Sequence, residues 1–234
     1  MKKFELTENK LNWFGLTLYQ IKACINFTTA TGIEVNAGQL GGWVEKEQNL
    51  SQEEKAWVFE NAKIYGEANI YDNAQIFGNA QIFGNAKIGD NAKIAGNAKI
   101  GGNAEIFGNA KIAGDARVFD NAVIREDANI YDNAIIWGDA EIWGNAEIFG
   151  NARISGDATI CGDALVSSPN NLLNITLVGK YKVSLTFFKT KNNSIEISYN
   201  WKLYTLEEFD PVMGDWTKEE QKIVKAAIEI LGGW

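Results

Sequence analysis

Histidine is absent from this chain of 234 residues. That removes imidazole general bases, histidine metal ligands and every Ser-His or Cys-His pair at once. Two cysteines, Cys24 and Cys161, are too few for a disulfide framework. With only two prolines, turn punctuation falls to 23 glycines and to Asn and Asp. No apolar run approaches the roughly 18 residues of a membrane-spanning helix. Met1-Lys2-Lys3 leads into no apolar stretch, because Glu5, Glu8, Asn9 and Lys10 interrupt it. No secretory signal is read, and a cytoplasmic, non-membrane location is expected. Positive charge is also short: 22 Lys and Arg against 30 Asp and Glu leave a net charge of −8. A dedicated nucleic-acid binder shows the opposite balance. The length allows one large domain or two to three small ones.

What is present is a repeat. The unit Asn/Asp-Ala-x-Ile-x-Gly/Asp recurs every six residues from Ala56 to Val166, nineteen times without an insertion. Alanine holds one position of every unit, and Ile or Val holds the position two residues later. Ala-x-Ile alternates as a strand does, with both side chains on one face. The following pair, Gly-Asn, Asp-Asn or Gly-Asp, is turn chemistry that tolerates unusual φ. A strand and a turn every six residues make one side of a prism, and three sides make an 18-residue coil. Residues 55–168 then stack as roughly six coils about 4.8 Å apart, with Ile inside and Ala near the corners. Corner asparagines are placed to form amide ladders along the stack.

These units resemble the hexapeptide-repeat family, and the resemblance implies a left-handed parallel β-helix. Two flanking segments extend it. Residues 1–54 read as a β-rich cap over the first coil, with an alternating run over 16–25, blunting an otherwise open sheet edge. Within it, residues 37–45 (Ala-Gly-Gln-Leu-Gly-Gly-Trp-Val-Glu), then Asn49-Leu50-Ser51 and Ala56-Trp57-Val58, resemble the N-terminal module of hexapeptide-repeat proteins of phages and prophages. Residues 169–234 read as three strands, 172–178, 181–189 and 194–201, with a turn at Asn192-Asn193 and a closing helix. Capping boxes pair Thr205 with Glu208 and Thr217 with Glu220. The helix carries Ile223, Val224, Ala227, Ile228 and Leu231 on one face and stops at Gly232. Thr186-Phe187-Phe188-Lys189-Thr190-Lys191 and Thr205-Leu206-Glu207-Glu208-Phe209 resemble the C-terminal module of the same proteins. A Ser-Arg-Asn stretch and a Cys-Gly-Cys-Phe stretch typical there are replaced by Lys180-Tyr181-Lys182 and Tyr199-Asn200-Trp201. The resemblance implies a phage-encoded accessory protein, a class that often acts against host defences.

Fold does not fix function, so the chemistry must come from sites. Acyltransferases of this fold use a histidine general base, and this chain has none and no loop inserted in its repeat. Cys161 falls at an outward or corner position, and Cys24 in an alternating run reads as core. The acids, among them Glu67, Asp72, Asp90, Asp120, Asp127, Asp139, Asp157 and Asp163, read as turn chemistry spread over all three corners. That spread does not make the one-sided acidic column of a DNA mimic. An ice-binding row is not found either, since Thr159 is the one outward threonine in the repeat.

Folded at 18 residues per coil, one side aligns Lys63, Gln81, Lys99, Arg117, Ile135 and Arg153. Tyr65, Phe83, Gly101, Phe119, Trp137 and Ser155 run beside them. Spaced cations beside aromatics can neutralise a phosphate and stack a base. They can equally form a protein interface, or stack only for stability. Lys63, Tyr65, Phe83, Lys99, Arg117, Phe119, Trp137 and Arg153 are the candidate ligand-binding residues. Arg117 stands at the centre, with Phe119 to stack a base, Gly101 to leave room and Trp137 to close the groove; Lys180, Lys182 and Lys189 are nearby in sequence. The expected function is non-enzymatic binding, without cofactor or metal, that antagonises bacterial anti-phage defence. It would sequester a small nucleotide signal or occlude a defence protein. The alternatives are an acyltransferase-like enzyme with non-histidine catalysis and a structural or assembly module. The aromatic column predicts a homo-oligomer, trimer before dimer.

Overall fold

The computed structural model describes residues 1–176, 184–214 and 216–232. It is a parallel β-solenoid of about seven turns followed by a small α+β region. Each repeat unit forms a two-residue strand, such as Lys99–Ile100, and the strands stack into three parallel sheets. The first sheet runs from Leu40–Val44 through Lys63–Ile64 to Arg153–Ile154, and the second from Trp57–Val58 to Leu165–Val166. The third runs from Asn69–Ile70 to Thr159–Ile160. Every repeat alanine and every inward Ile or Val is buried. Each such aliphatic contributes about 1.5–3 kcal/mol by leaving water.

The extra turn over the six expected comes from within residues 1–54. Gly41-Gly42-Trp43-Val44 is itself a parallel rung, with Trp43 opposite Lys63 and Val44 opposite Ile64. These partners lie twenty residues apart, so the rung sits outside the strict frame. Its glycines are needed: a Cβ on Gly42 would come within 2.6 Å of Val58 and 2.7 Å of the Ala62 carbonyl. The hairpin of Phe4–Trp13 and Leu16–Ala23 then continues the first sheet, antiparallel, beyond Leu40–Val44.

Corners repeat a fixed device. One residue per unit, from Glu54 to Gly162, has positive φ. The asparagine after it joins a ladder: Asn73 Nδ2 donates to Asn91, Asn91 to Asn109, and Asn109 to Asp127, at 3.0–3.2 Å. A second ladder runs Asn85, Asn103, Asn121, Asp139. Aspartate ends each ladder because a carboxylate accepts but cannot donate onward.

Both ends of the prism are plugged. At the top, Phe4 and Phe27 pack edge-on against buried Trp57, with ring centroids 6.4 and 5.4 Å away. Lys3 Nζ donates to the carbonyls of Glu53 and Ala56 there, and burial lowers its pKa to about 8. At the bottom, Ser184–Lys189 crosses the last coils. Phe188 joins the solenoid core, while Leu185 and Phe187 face a second core under the helix Lys218–Ile230. The Thr159 N–H donates to the Thr186 hydroxyl, tying this strand to the last rung of the third sheet.

The C-terminal sheet has four strands rather than three. Lys202–Thr205 pairs with Ile195–Tyr199 across a turn in which Asn200 and Trp201 both have positive φ. Both capping boxes form. Val224, Ala227, Ile228 and Leu231 are buried, but Ile223 is 45 % exposed and leaves the apolar face. The cysteines exchange the roles read from sequence: Cys161 is buried and Cys24 only half-buried. Cys161 does sit at a corner, and the C-terminal module with Glu196 and Ser198 covers it. No helix among the described residues is long and apolar enough to cross a membrane.

Candidate functional site

The 18-residue period places the basic column in strict register. Lys63, Gln81, Lys99, Arg117, Ile135 and Arg153 are successive partners in the first sheet. The inward isoleucines hold each strand from behind, so the outward side chains repeat at one rung spacing, about 4.8 Å.

Seven of the eight candidate residues nevertheless fall into two groups. Lys63, at the N-terminal end, is only 9 % exposed. The hairpin lays Trp13 over it, with Nζ 4.6 Å from the ring centroid, and Nζ donates to the Asn61 carbonyl at 2.7 Å. Burial lowers the Lys63 pKa, and burial likewise raises that of the Tyr65 phenol. Tyr65 stacks on Phe83 at 5.3 Å, the planes 7° apart. Phe83 in turn lies over Gly101, where a Cβ would meet its ring at 2.5 Å, and reaches Phe119 at 6.1 Å. The space expected above Gly101 for a ligand is therefore filled by Phe83. Lys63, Tyr65 and Phe83 belong to the covered end of the face.

Arg117, Phe119, Trp137 and Arg153 come together at the other end. Two shallow clefts run side by side with Ile135 and Arg153 shared between them. One, of about 490 Å³, is lined by Arg117, Arg153, Ile135, Asp115, Asn133 and Asn151. The other, of about 500 Å³, is lined by Phe119, Trp137, Ile135, Arg153, Gly102 and Asp120. Arg117 and Arg153 are exposed, and among the described residues neither has an ion-pair partner. The third arginine of the chain, Arg125, lies on another sheet, against Glu141 at 3.5 Å and over Trp143 at 5.5 Å. Lys99 is half-buried in the same column one rung before Arg117 and lines neither cleft.

Asn133, Asn151, Asp115 and Asp120 were not among the residues selected from sequence. They sit two residues before or three after the members of the basic column, so coil arithmetic carries them once the column is chosen. Asp115 is engaged already, accepting from Asn97 Nδ2 at 3.0 Å. Of the C-terminal lysines, Lys189 lines a separate 560 Å³ cavity with Leu206 and Leu231, and Lys180 and Lys182 lie outside the described residues. Among the described residues no three cysteine or acidic side chains gather as metal ligands.

This face can hold an anion between two guanidinium groups and an apolar ring against Phe119 and Trp137. The chain matches no family model, and no curated protein matches it in sequence.

Proposed function

We propose that the protein is a non-enzymatic binder of a small nucleotide, held on the outer face of the first sheet between Arg117 and Arg153. The observation that carries this reading is the arginine pair. Two of the three arginines in an acidic chain stand two rungs apart on one face, without an ion-pair partner among the described residues, beside a half-buried phenylalanine and tryptophan. Guanidinium groups bind phosphate oxygens through paired donors, and aromatic rings stack on bases.

The biological setting rests on the resemblance of the flanking modules to hexapeptide-repeat phage proteins. Sequestering a nucleotide signal in the host cytoplasm is one way such a protein would antagonise anti-phage defence. Self-association as a trimer or dimer is a separate part of the proposal. Calorimetry with cyclic and linear nucleotides tests it. Wild type should bind, and the ligand should be recovered unchanged after denaturation. A charged hydrogen bond contributes about 1.5–3 kcal/mol, so Arg117→Ala should weaken binding roughly ten- to a hundredfold at unchanged thermal stability. Absence of nucleotide binding by wild type would leave occlusion of a defence protein as the better reading.

A further inference from the structure

The closing helix carries more apolar surface than its own module uses. Within Lys218–Ile230, Val224, Ala227 and Ile228 belong to the second core with Leu185 and Phe187. Ile223 and Ile230 do not: they are 45 % and 73 % exposed, with exposed Ala226 between them. At 3.6 residues per turn, positions 223, 226 and 230 form one stripe about 10.5 Å long beside the buried one. The capping box of Thr217 and Glu220 fixes where the helix begins, so the stripe is held in one orientation.

Apolar residues spaced three and four apart are what paired helices bury, and the residues flanking such a seam set partner and direction. The solvent-side flank here carries Lys222 and Glu229, both exposed and neither ion-paired among the described residues. The other flank, Glu220 and Ala227, is buried in the module itself. This pattern is complementary to its own reverse. With Ala226 set against Ala226 of an antiparallel copy, Ile223 meets the partner's Ile230 and Lys222 meets the partner's Glu229, each contact occurring twice. A parallel copy would instead set Lys222 level with the partner's Lys222, and Glu229 level with the partner's Glu229. Alanine at the centre lets the two axes approach to about 8 Å.

We infer that a second copy of this chain docks here, the two helices pairing antiparallel about a two-fold axis at Ala226. This rests on the self-association proposed above, gives it a surface apart from the aromatic column and fixes its order at two. One 13-residue helix per copy provides less than the roughly 800 Å² per partner of a standard interface, so the dimer forms in the upper micromolar range. The apolar stripe supplies the attraction. The two Lys–Glu pairs set the direction, because exposed ion pairs add little affinity while opposed like charges count against the wrong pairing.

The test is sedimentation equilibrium of the full-length protein from about 10 to about 500 μM. Wild type should show a monomer–dimer equilibrium. Ile230→Glu puts two acids into the seam at a position exposed in the monomer. It should weaken the dimer at least about tenfold at an unchanged melting temperature. Lys222→Glu should weaken it about threefold, and Lys222→Glu combined with Glu229→Lys should restore it. A trimer, or a dimer undiminished by Ile230→Glu, overturns the helix surface and leaves self-association standing on another face. A monomer throughout removes both. No loss in Lys222→Glu, or no recovery in the double reversal, overturns the antiparallel direction.

Discussion

At the positive-φ corner positions glycine and acid solve different problems. Glycine admits the close approach of the next turn: a Cβ on Gly84 would lie 2.8 Å from the Gly102 carbonyl oxygen. An acid accepts the strain of positive φ and satisfies a main-chain donor instead. Glu60, Asp72, Asp90, Asp120, Glu126 and Asp132 each accept the N–H of the residue 18 positions on. Six of the 30 acids of the chain thus have a structural role. Cys161 shows the same rule of local environment. Its folded pKa, about 11, lies above the ordinary thiol value of 9, chiefly because burial penalises the thiolate, with Glu196 adding to it. The unfolded chain therefore releases this proton first as pH rises, and the stabilising contribution, complete below pH 9, is lost up to about pH 11. Urea unfolding of wild type and Cys161→Ala at pH 8 and pH 10.5 should show wild type losing up to about 2 kcal/mol relative to the variant. Parallel pH profiles for the two would contradict the burial of this thiol.

The two-residue strand is the unit of stability. Ile106 stacks between Ile88 and Ile124 in the third sheet and is fully buried. Ile106→Asp places an uncompensated carboxylate in that column and should cost several kcal/mol, on the order of 3–5, read as a large fall in melting temperature. A wild-type melting temperature in that variant would refute inward packing at this rung. Such positions were legible in the sequence because period six, taken three at a time, fixes direction and neighbour without further information. The basic column was legible for the same reason. What escaped reading depends on contacts that no period announces. Trp13 covers Lys63 from fifty residues away. The rung at Leu40–Val44 breaks the frame by two residues, and the strand Lys202–Thr205 follows a turn of Asn and Trp that carries no glycine. Phe83 bending over Gly101 follows from the missing Cβ there, a local signal that reading the glycine as empty space turned the wrong way.

For the whole molecule the division of labour is clear: covered ends, and an open middle to lower face on the first sheet. Tyr65, Phe83, Phe119 and Trp137 are half-buried, the first three through ring contacts with one another, which reduces the apolar strip a partner copy would cover. The proposed self-association predicts a trimer or dimer by light scattering at micromolar concentration, and a monomer throughout that range would remove that part of the proposal. Because Arg117 and Arg153 are separated by two full turns, their alignment depends on a count of residues and not on any contact between them. Loss of a single six-residue unit between them would leave every isoleucine pointing inward, yet carry Arg153 and the C-terminal module a third of the way around the axis. Evolution by slippage can therefore lengthen or shorten this protein in steps of six without harming its core, but only steps of eighteen leave the proposed binding face in one piece.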